Sequence, residues 1–286
     1  MWSNPITIKP ELGYDLLNSV LNSTFRYGAL SKGIDKRKPT LFITTITYYR
    51  LGRLNLLRRL AAAIRHHQID NQILCDRSGG RTKTCRQFIW ILCEDDKYID
   101  KKMIDLLDCS RIPYVYFAYG PTKRHGSAQK NAVLEYIVNL THDFRFTASI
   151  HPIDDDCYTL PDAFNFFYNI KKVSLIPVVG LGPDGIEYAI TDKNHMIKEM
   201  RAGLSNRTFP VDYNALGWST TIFDKMWRNG QHMYWPFPGW AGETEFLELY
   251  LKRLNEIYVP CNMCKTIFYN RPVQDTDILL TCPTLD

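Results

Sequence analysis

His151-Pro152-Ile153-Asp154-Asp155-Asp156-Cys157 places consecutive carboxylates directly after Phe144 to Ile150, an apolar-leaning segment that reads as a buried strand. Beyond it, Leu160 to Tyr168 reads as a short helix. Carboxylates crowded at a strand end repel one another unless a cation shares them. Side chains alternate along a strand, so Asp154 and Asp156 are expected to face one way and Asp155 the other. Oxygen ligands alone suit Mg²⁺ or Mn²⁺ rather than zinc, and such ions commonly take phosphate oxygens as well. A solvated acidic turn would need no ligand at all. The surrounding chain decides between the two.

Upstream, Pro39 introduces Thr40 to Ile46, a β-branched first strand. Leu54, Leu57, Leu60, Ala61 and Ile64 recur at helical spacing and predict an amphipathic helix over 51–66, with Arg53, Arg58, Arg59 and Arg65 mostly on its outer face. Residues 69–86 are polar, contain Gly79-Gly80 and predict a surface loop. Phe88 to Cys93 predicts a second buried strand ending at Glu94-Asp95-Asp96. A helix over 98–108, a strand Tyr114 to Ala118, a turn Tyr119 to Gly126 and a helix Ser127 to Asn139 follow. This alternation predicts an α/β fold with a mostly parallel sheet and right-handed crossovers. Ligands of such sheets bind beyond the carboxyl ends of the strands. Tyr48, Asp95 and Asp154 to Asp156 all fall just past such ends, which favours a binding role over a solvated turn.

The second half changes character. Val173 to Leu181 and Ile186 to Ile190 predict strands about the turn Gly182-Pro183-Asp184-Gly185. Phe209 to Asp212 and Leu216 to Thr221 predict shorter strands, Pro236 to Gly242 a loop, and Glu243 to Leu254 a helix. No linker separates the halves, so they are expected to share one core. Residues 1–38, ending in Lys36-Arg37-Lys38, predict an arm or stem.

Hydrophobic residues at 45% and aromatics at 13% of 286 residues supply a real core and exclude disorder as the default. A net charge of +5 falls short of a nucleic-acid footprint, so no nucleic-acid partner is expected, and it favours a phosphorylated or acidic ligand. No apolar run reaches membrane length and no signal-peptide pattern opens the chain, so the expectation is a cytoplasmic protein or one whose anchor lies upstream. Among eight cysteines, Cys261-Asn262-Met263-Cys264 fits C-x-x-C, but it lacks a second pair or a His at zinc spacing, which points to a disulfide or buried thiols. Sequons stand at Asn22, Asn139 and Asn206.

The ordered series of segments from Pro39 to Arg271 resembles the β-1,3-glucuronosyltransferases of glycosyltransferase family 43. The likeness rests on Thr45 to Tyr48, Trp90 to Asp95, Gly126 to Asn131 and the triple aspartate. Val173 to Pro177, Phe209 to Asp212 and Glu243 to Leu247 complete it. It implies a GT-A fold, a Rossmann-like central sheet with helices on both faces. Residues 39–157 would be the UDP-sugar-binding half and 158–286 the acceptor-binding half with a C-terminal tail. It further implies a UDP-sugar donor, a glycan acceptor, Mn²⁺ as cofactor, inversion at the anomeric carbon, a homodimer and residence in the Golgi lumen. By the same resemblance Asp156 is the metal ligand, Asp154 and Asp155 hold donor sugar and ribose, and Tyr48 and Asp95 hold the uridine. Glu243 matches the catalytic base, while Arg207 and Asp212 match residues that orient the acceptor.

The chemistry agrees: a cation would neutralise the leaving phosphate, and inversion needs one base placed opposite the leaving group. Each residue also has a plain structural role to weigh, a core tyrosine for Tyr48, a first-turn cap for Glu243 and a surface ion pair for Arg207 and Asp212. The chain departs from the family at donor-contacting positions, with His125 and Lys130 where arginine is usual and Tyr269 where histidine is usual, although Arg271 still matches. Lys130 is a point charge without a bidentate fork, and Tyr269 carries no charge near neutral pH. These changes point toward a neutral donor sugar, galactose, xylose or glucose, in place of glucuronate. Two rivals follow from the same residues. A catalytically silent nucleotide-sugar- or glycan-binding protein would not need Asp156 and Glu243 together. A sugar nucleotidyltransferase should carry a Gly-rich basic loop after the first strand, and Thr47-Tyr48-Tyr49-Arg50 is not one.

Overall fold

Apolar, β-branched and aromatic side chains fill the first-half strands, β1 (Phe25–Gly28), β2 (Thr40–Thr47), β3 (Gln87–Glu94), β4 (Tyr114–Ala118) and β5 (Ser149–Pro152). The computed structural model describes residues 25–28, 34–80, 84–122, 126–179, 185–203, 206–236 and 242–260, with the backbone of 268–269. Helices α1 (Arg53–Arg77), α2 (Lys101–Ser110) and α3 (Ser127–Asp143) alternate with these strands. The second half adds β6 (Val173–Leu175), β7 (Val178–Val179), β8 (Ile186–Thr191), β9 (Ile197–Arg201), β10 (Leu216–Ser219), α4 (Asp224–Arg228), α5 (Gly242–Glu248), β11 (Ile257–Tyr258) and β12 (Phe268–Tyr269).

One sheet runs in the order β1-β4-β3-β2-β5-β10-β6-β11, and a smaller one runs β12-β7-β8-β9. β4, β3, β2 and β5 are mutually parallel, and their side chains are buried on both faces, as a sheet covered by helices requires. From β2 the chain steps outward through β3 to β4, then returns across β2 to β5. With right-handed crossovers this puts α1 and α2 on one face and α3 on the other. α3 turns Val133, Leu134, Ile137 and Val138 inward at helical spacing. β10 joins β5 and β6 antiparallel, so both halves share one sheet and one continuous apolar core.

Several expected boundaries move. The N-terminal segment 1–38 contributes β1, which pairs antiparallel with β4, so part of the expected arm is an edge strand. α1 continues to Arg77, through the first half of the expected 69–86 loop. Its buried stripe goes on past Ile64 with His67 and Asn71, polar residues that bond each other at 3.0 Å and the Tyr168 hydroxyl at 3.1 and 3.2 Å. A Cys75–Cys85 disulfide then ties the end of α1 to the entry of β3. Cys109 is also disulfide-bonded, and Cys93 and Cys157 are buried free thiols. Phe209 to Asp212 is not a strand, Leu160 to Tyr168 gives only a 3-10 turn over Pro161–Phe167, and Pro177 splits the expected 173–181 strand. The helix expected over 243–254 stops at Glu248. Cys261 to Cys264 and the C-terminal segment lie outside the described residues. None of the described helices is long and apolar enough to cross a membrane.

At the rim where β3 and β4 end, Arg53 from the first turn of α1 is 2% exposed. Its guanidinium bonds Glu94 at 2.5 Å and also Asp100, the residue that caps α2. The Tyr116 hydroxyl donates to the other Glu94 oxygen. Even so, burial raises the Glu94 carboxyl above its usual range. Removing one member of such a buried pair strands the other. Arg53→Ala is therefore expected to lower unfolding free energy by about 3 kcal/mol or more. Urea titration of parent and variant checks this, and a loss below about 1 kcal/mol, the range of surface pairs, would refute it.

Candidate active site

β2 has β3 on one side and β5 on the other, and the crossovers leaving them diverge, which opens a crevice beyond their carboxyl ends. The loops after β2, β3, β4 and β5 line a cleft of about 560 Å³ there. Tyr48, Asp95, Lys130 and Asp154 to Asp156 all reach it, so residues far apart in sequence meet at the expected edge. Tyr48 is 50% exposed, which rules out the core-tyrosine role. The Arg50 guanidinium stands 5.1 Å from its ring centre.

The aspartates do not divide as strand alternation predicts. β5 ends at Pro152, and Asp155 and Asp156 sit in a turn where that alternation no longer applies. Asp154 is the one that parts from its neighbours. Its amide donates to Asn214 Oδ1 at 2.7 Å and its Oδ2 accepts from Asn214 Nδ2 at 3.0 Å. Asp155 turns toward β2, accepting from Thr47 Oγ1 at 2.8 Å and pairing with Arg50. Burial outweighs those partners and pushes its carboxyl up to about 6. Asp154 is also raised by burial, opposed by Lys130 and the Asn214 bond. The Asp156 side chain is 39% exposed, with Arg50 Nη2 3.4 Å from its Oδ2.

Lys130, one turn into α3, spans the cleft and its far side. Its ammonium lies 3.7 Å from the Tyr213 ring centre and 4.3 Å from that of Trp235, within cation–π range. Burial lowers its pKa, while Asp154, Glu243 and Asp212 raise it. Those three carboxylates therefore act electrostatically on one cation. Glu243 opens α5 and is held there by Arg207 at 3.8 Å, and the Thr244 hydroxyl anchors the same turn to the Phe209 carbonyl at 2.8 Å. Asp212 caps the 3-10 turn at Tyr213–Ala215 by accepting from the Asn214 amide at 2.8 Å. Burial pushes its carboxyl up to about 7. Asn214 Nδ2 reaches both Asp212 at 3.1 Å and Asp154 at 3.0 Å, linking the two sides.

Among the described residues no group of three or more His, Cys, Asp or Glu converges to hold a metal ion. Asp156 with its neighbours could give a cation only one or two carboxylates, which suits Mg²⁺- or Mn²⁺-like binding completed by phosphate oxygens of a ligand. The residues present fit an ion of that kind. His125 and Arg271 lie outside the described residues; of Tyr269 only the backbone is described, pairing parallel with Val179. Sequence reasoning passed over Arg50, Gln129 and Asn214. Asn214 had a signal, since Asp-x-Asn is a common Asx-turn pattern. Arg50 and Gln129 had none beyond their places after a strand and inside a helix.

The sequence model of Glycosyltransferase family 43 matches residues 82–271. No protein of curated function matches the chain. Among solved structures, S. aureus TarS 1-349 superposes with a TM-score of 0.48 at 13% identity, over 81% of this chain and 60% of that one. HddC from Yersinia pseudotuberculosis gives 0.44 and 11%, over 80% and 92%. The chain thus spans about 60% of the length of TarS 1-349. Likenesses this distant carry no statement about substrate. The family match covers well over half of the chain, including β3 to β5 and the second-half elements through β12. On that match the chain belongs to glycosyltransferase family 43, and the mostly parallel sheet flanked by helices is its GT-A scaffold.

Proposed function

We propose that this glycosyltransferase moves a sugar from a UDP-sugar to a glycan hydroxyl with inversion, aided by Mn²⁺. The observation that carries the reading is the shared cation: Lys130 lines the cleft together with Asp154, and the charges of Glu243 and Asp212 act on it as well. A base at Glu243 would thus stand where the anomeric carbon of a cleft-bound donor meets an acceptor. Tyr48 offers a half-exposed ring for the uracil, Asp95 a carboxylate for its edge, and Asp154 and Asp155 oxygens for the sugar and ribose hydroxyls. Asp156 would hold the cation, which neutralises charge on the diphosphate as it leaves.

Glu243 accepts the acceptor hydroxyl proton while that oxygen attacks the anomeric carbon. The bond from that carbon to the phosphate oxygen breaks with its electron pair, and UDP departs. Arg207 would orient Glu243, and Asp212 would hold an acceptor hydroxyl. For the donor we favour a neutral hexose or xylose. A glucuronate carboxylate would need a free cation to offset its desolvation, and Lys130 already answers Asp154, Asp212 and Glu243. The Cys75–Cys85 disulfide favours folding in an oxidising compartment, consistent with a lumenal, Golgi-like location. A homodimer is the family expectation.

UDP affinity is expected to depend on both Mn²⁺ and Asp156. Calorimetry on the parent and on Asp156→Asn, each with and without Mn²⁺, tests this; equal affinity throughout would remove the metal-diphosphate reading.

Glu243→Gln should keep UDP binding while transfer falls about a hundredfold or more, the scale for a lost general base. Near-parental transfer by that variant would reduce Glu243 to a helix cap.

In a panel of UDP-sugars, read as UDP release with and without simple galactosides, a neutral sugar should give the highest kcat/KM. A lead for UDP-glucuronate would reverse the donor assignment, and no turnover with any donor would favour a silent binding protein.

A further inference from the structure

We propose that Gln129 sets the nucleobase selectivity of the cleft by fixing which oxygen of Asp95 meets the base, an inference that rests on the UDP-sugar reading above. Gln129 lies in the first turn of α3 and is fully buried, yet its side chain is a primary amide. Its Nε2 stands 2.6 Å from Asp95 Oδ1 and 2.7 Å from the Tyr119 carbonyl oxygen. A primary amide has two protons to give, and these acceptors take both. Reversing the amide would set its oxygen against a carboxylate and a carbonyl, so chemistry fixes its orientation. The Thr122 hydroxyl closes the cluster, 3.3 Å from Gln129 Oε1, and the Thr122 amide donates to Asp95 Oδ1 at 2.7 Å.

Asp95 Oδ1 is therefore committed to the protein by two donors, and the loop after β4 is shaped around it. A Cβ on Gly120 would overlap that oxygen, so the close approach needs glycine there. Among the described residues Oδ2 takes no hydrogen bond, while Asp95 itself lines the cleft. An acceptor held in one place reads one donor. Uracil presents N3–H between two carbonyl oxygens, which matches a single fixed carboxylate oxygen. Cytosine carries a lone pair at N3 and its protons on the neighbouring exocyclic nitrogen. A carboxylate free to rotate could follow that displaced donor; one pinned by Gln129 cannot. Gln129 never touches the nucleotide in this arrangement and is a positioning residue.

The experiment is calorimetry with UDP and with CDP, Mn²⁺ present, on the parent, on Gln129→Leu and on the size-conserving Gln129→Glu, with folding followed by circular dichroism. The parent should favour UDP over CDP by about tenfold or more, the scale of a hydrogen bond to a charged group. Both variants should lose UDP affinity by a similar factor while CDP affinity stays within about twofold, so the ratio collapses. A purely structural role would weaken both nucleotides together and preserve the ratio, which overturns the proposal while leaving the donor reading intact. A parent that binds neither nucleotide removes the donor reading and this inference with it. Should Gln129→Leu fail to fold, the ratio in Gln129→Glu alone decides, and an unchanged ratio there overturns the assignment.

Discussion

Asp155 is buried and Asp154 and Asp212 are partly buried, and desolvation holds each carboxyl above its ordinary range. That crowding could not persist without cations and donors arranged around it. Arg50 answers Asp155 and Asp156, Lys130 answers Asp154, Asp212 and Glu243, and Asn214 donates to Asp154 and Asp212 together. The rest of the fold serves these placements. The parallel strands bring β2 and β5 side by side, so Thr47 and Arg50 can meet Asp155 across 108 and 105 residues of sequence. Helix α3 delivers Lys130 to the middle, and β10 leads back from Asp212 into the same sheet.

How much of this could be read from the chain follows from what kind of signal each part leaves. β3 and β4 are continuous apolar runs, and their burial on both faces makes them legible to within a residue. The far half of α1 was hidden because His67 and Asn71 continue its buried stripe with polar atoms satisfied by Tyr168, a partner about a hundred residues away. Phe209 to Asp212 has strand-like composition but is taken up by an Asx cap, where local side-chain bonding overrides propensity. At the site, acidic residues just past strand ends were visible, since topology alone sends such positions to the ligand edge. The residues that orient them were not visible. Asn214 left only the trace of a local Asx turn, and Gln129 works through hydrogen bonds fixed by tertiary contact, which nothing in one sequence separates from those of a solvated amide.

The rim beside the proposed uridine position is built unlike the rim beside Glu243. Arg53, Glu94, Asp100 and Tyr116 form a buried network one residue from Asp95, joining α1, β3, α2 and β4. Asp95 itself is set by a backbone amide, a buried primary amide and a glycine-dependent loop. Nothing in that corner has to move for a flat ring to be read, and rigidity there adds selectivity without added contact area.

Across the cleft the groups are charged and only loosely joined. Arg207 and Glu243 are 3.8 Å apart, Asp156 Oδ2 is 3.4 Å from Arg50, and the Lys130 ammonium rests on aromatic faces and donates no hydrogen bond among the described residues. An ammonium on a ring face can respond to whichever carboxylate or ligand oxygen comes near, because the cation–π attraction has no fixed donor line. In the proposed reaction charge changes hands on this side: a proton leaves the acceptor and negative charge gathers on the departing diphosphate. In the proposed function the hydrogen-bonded edge reads the base, and the charged edge supports the transfer.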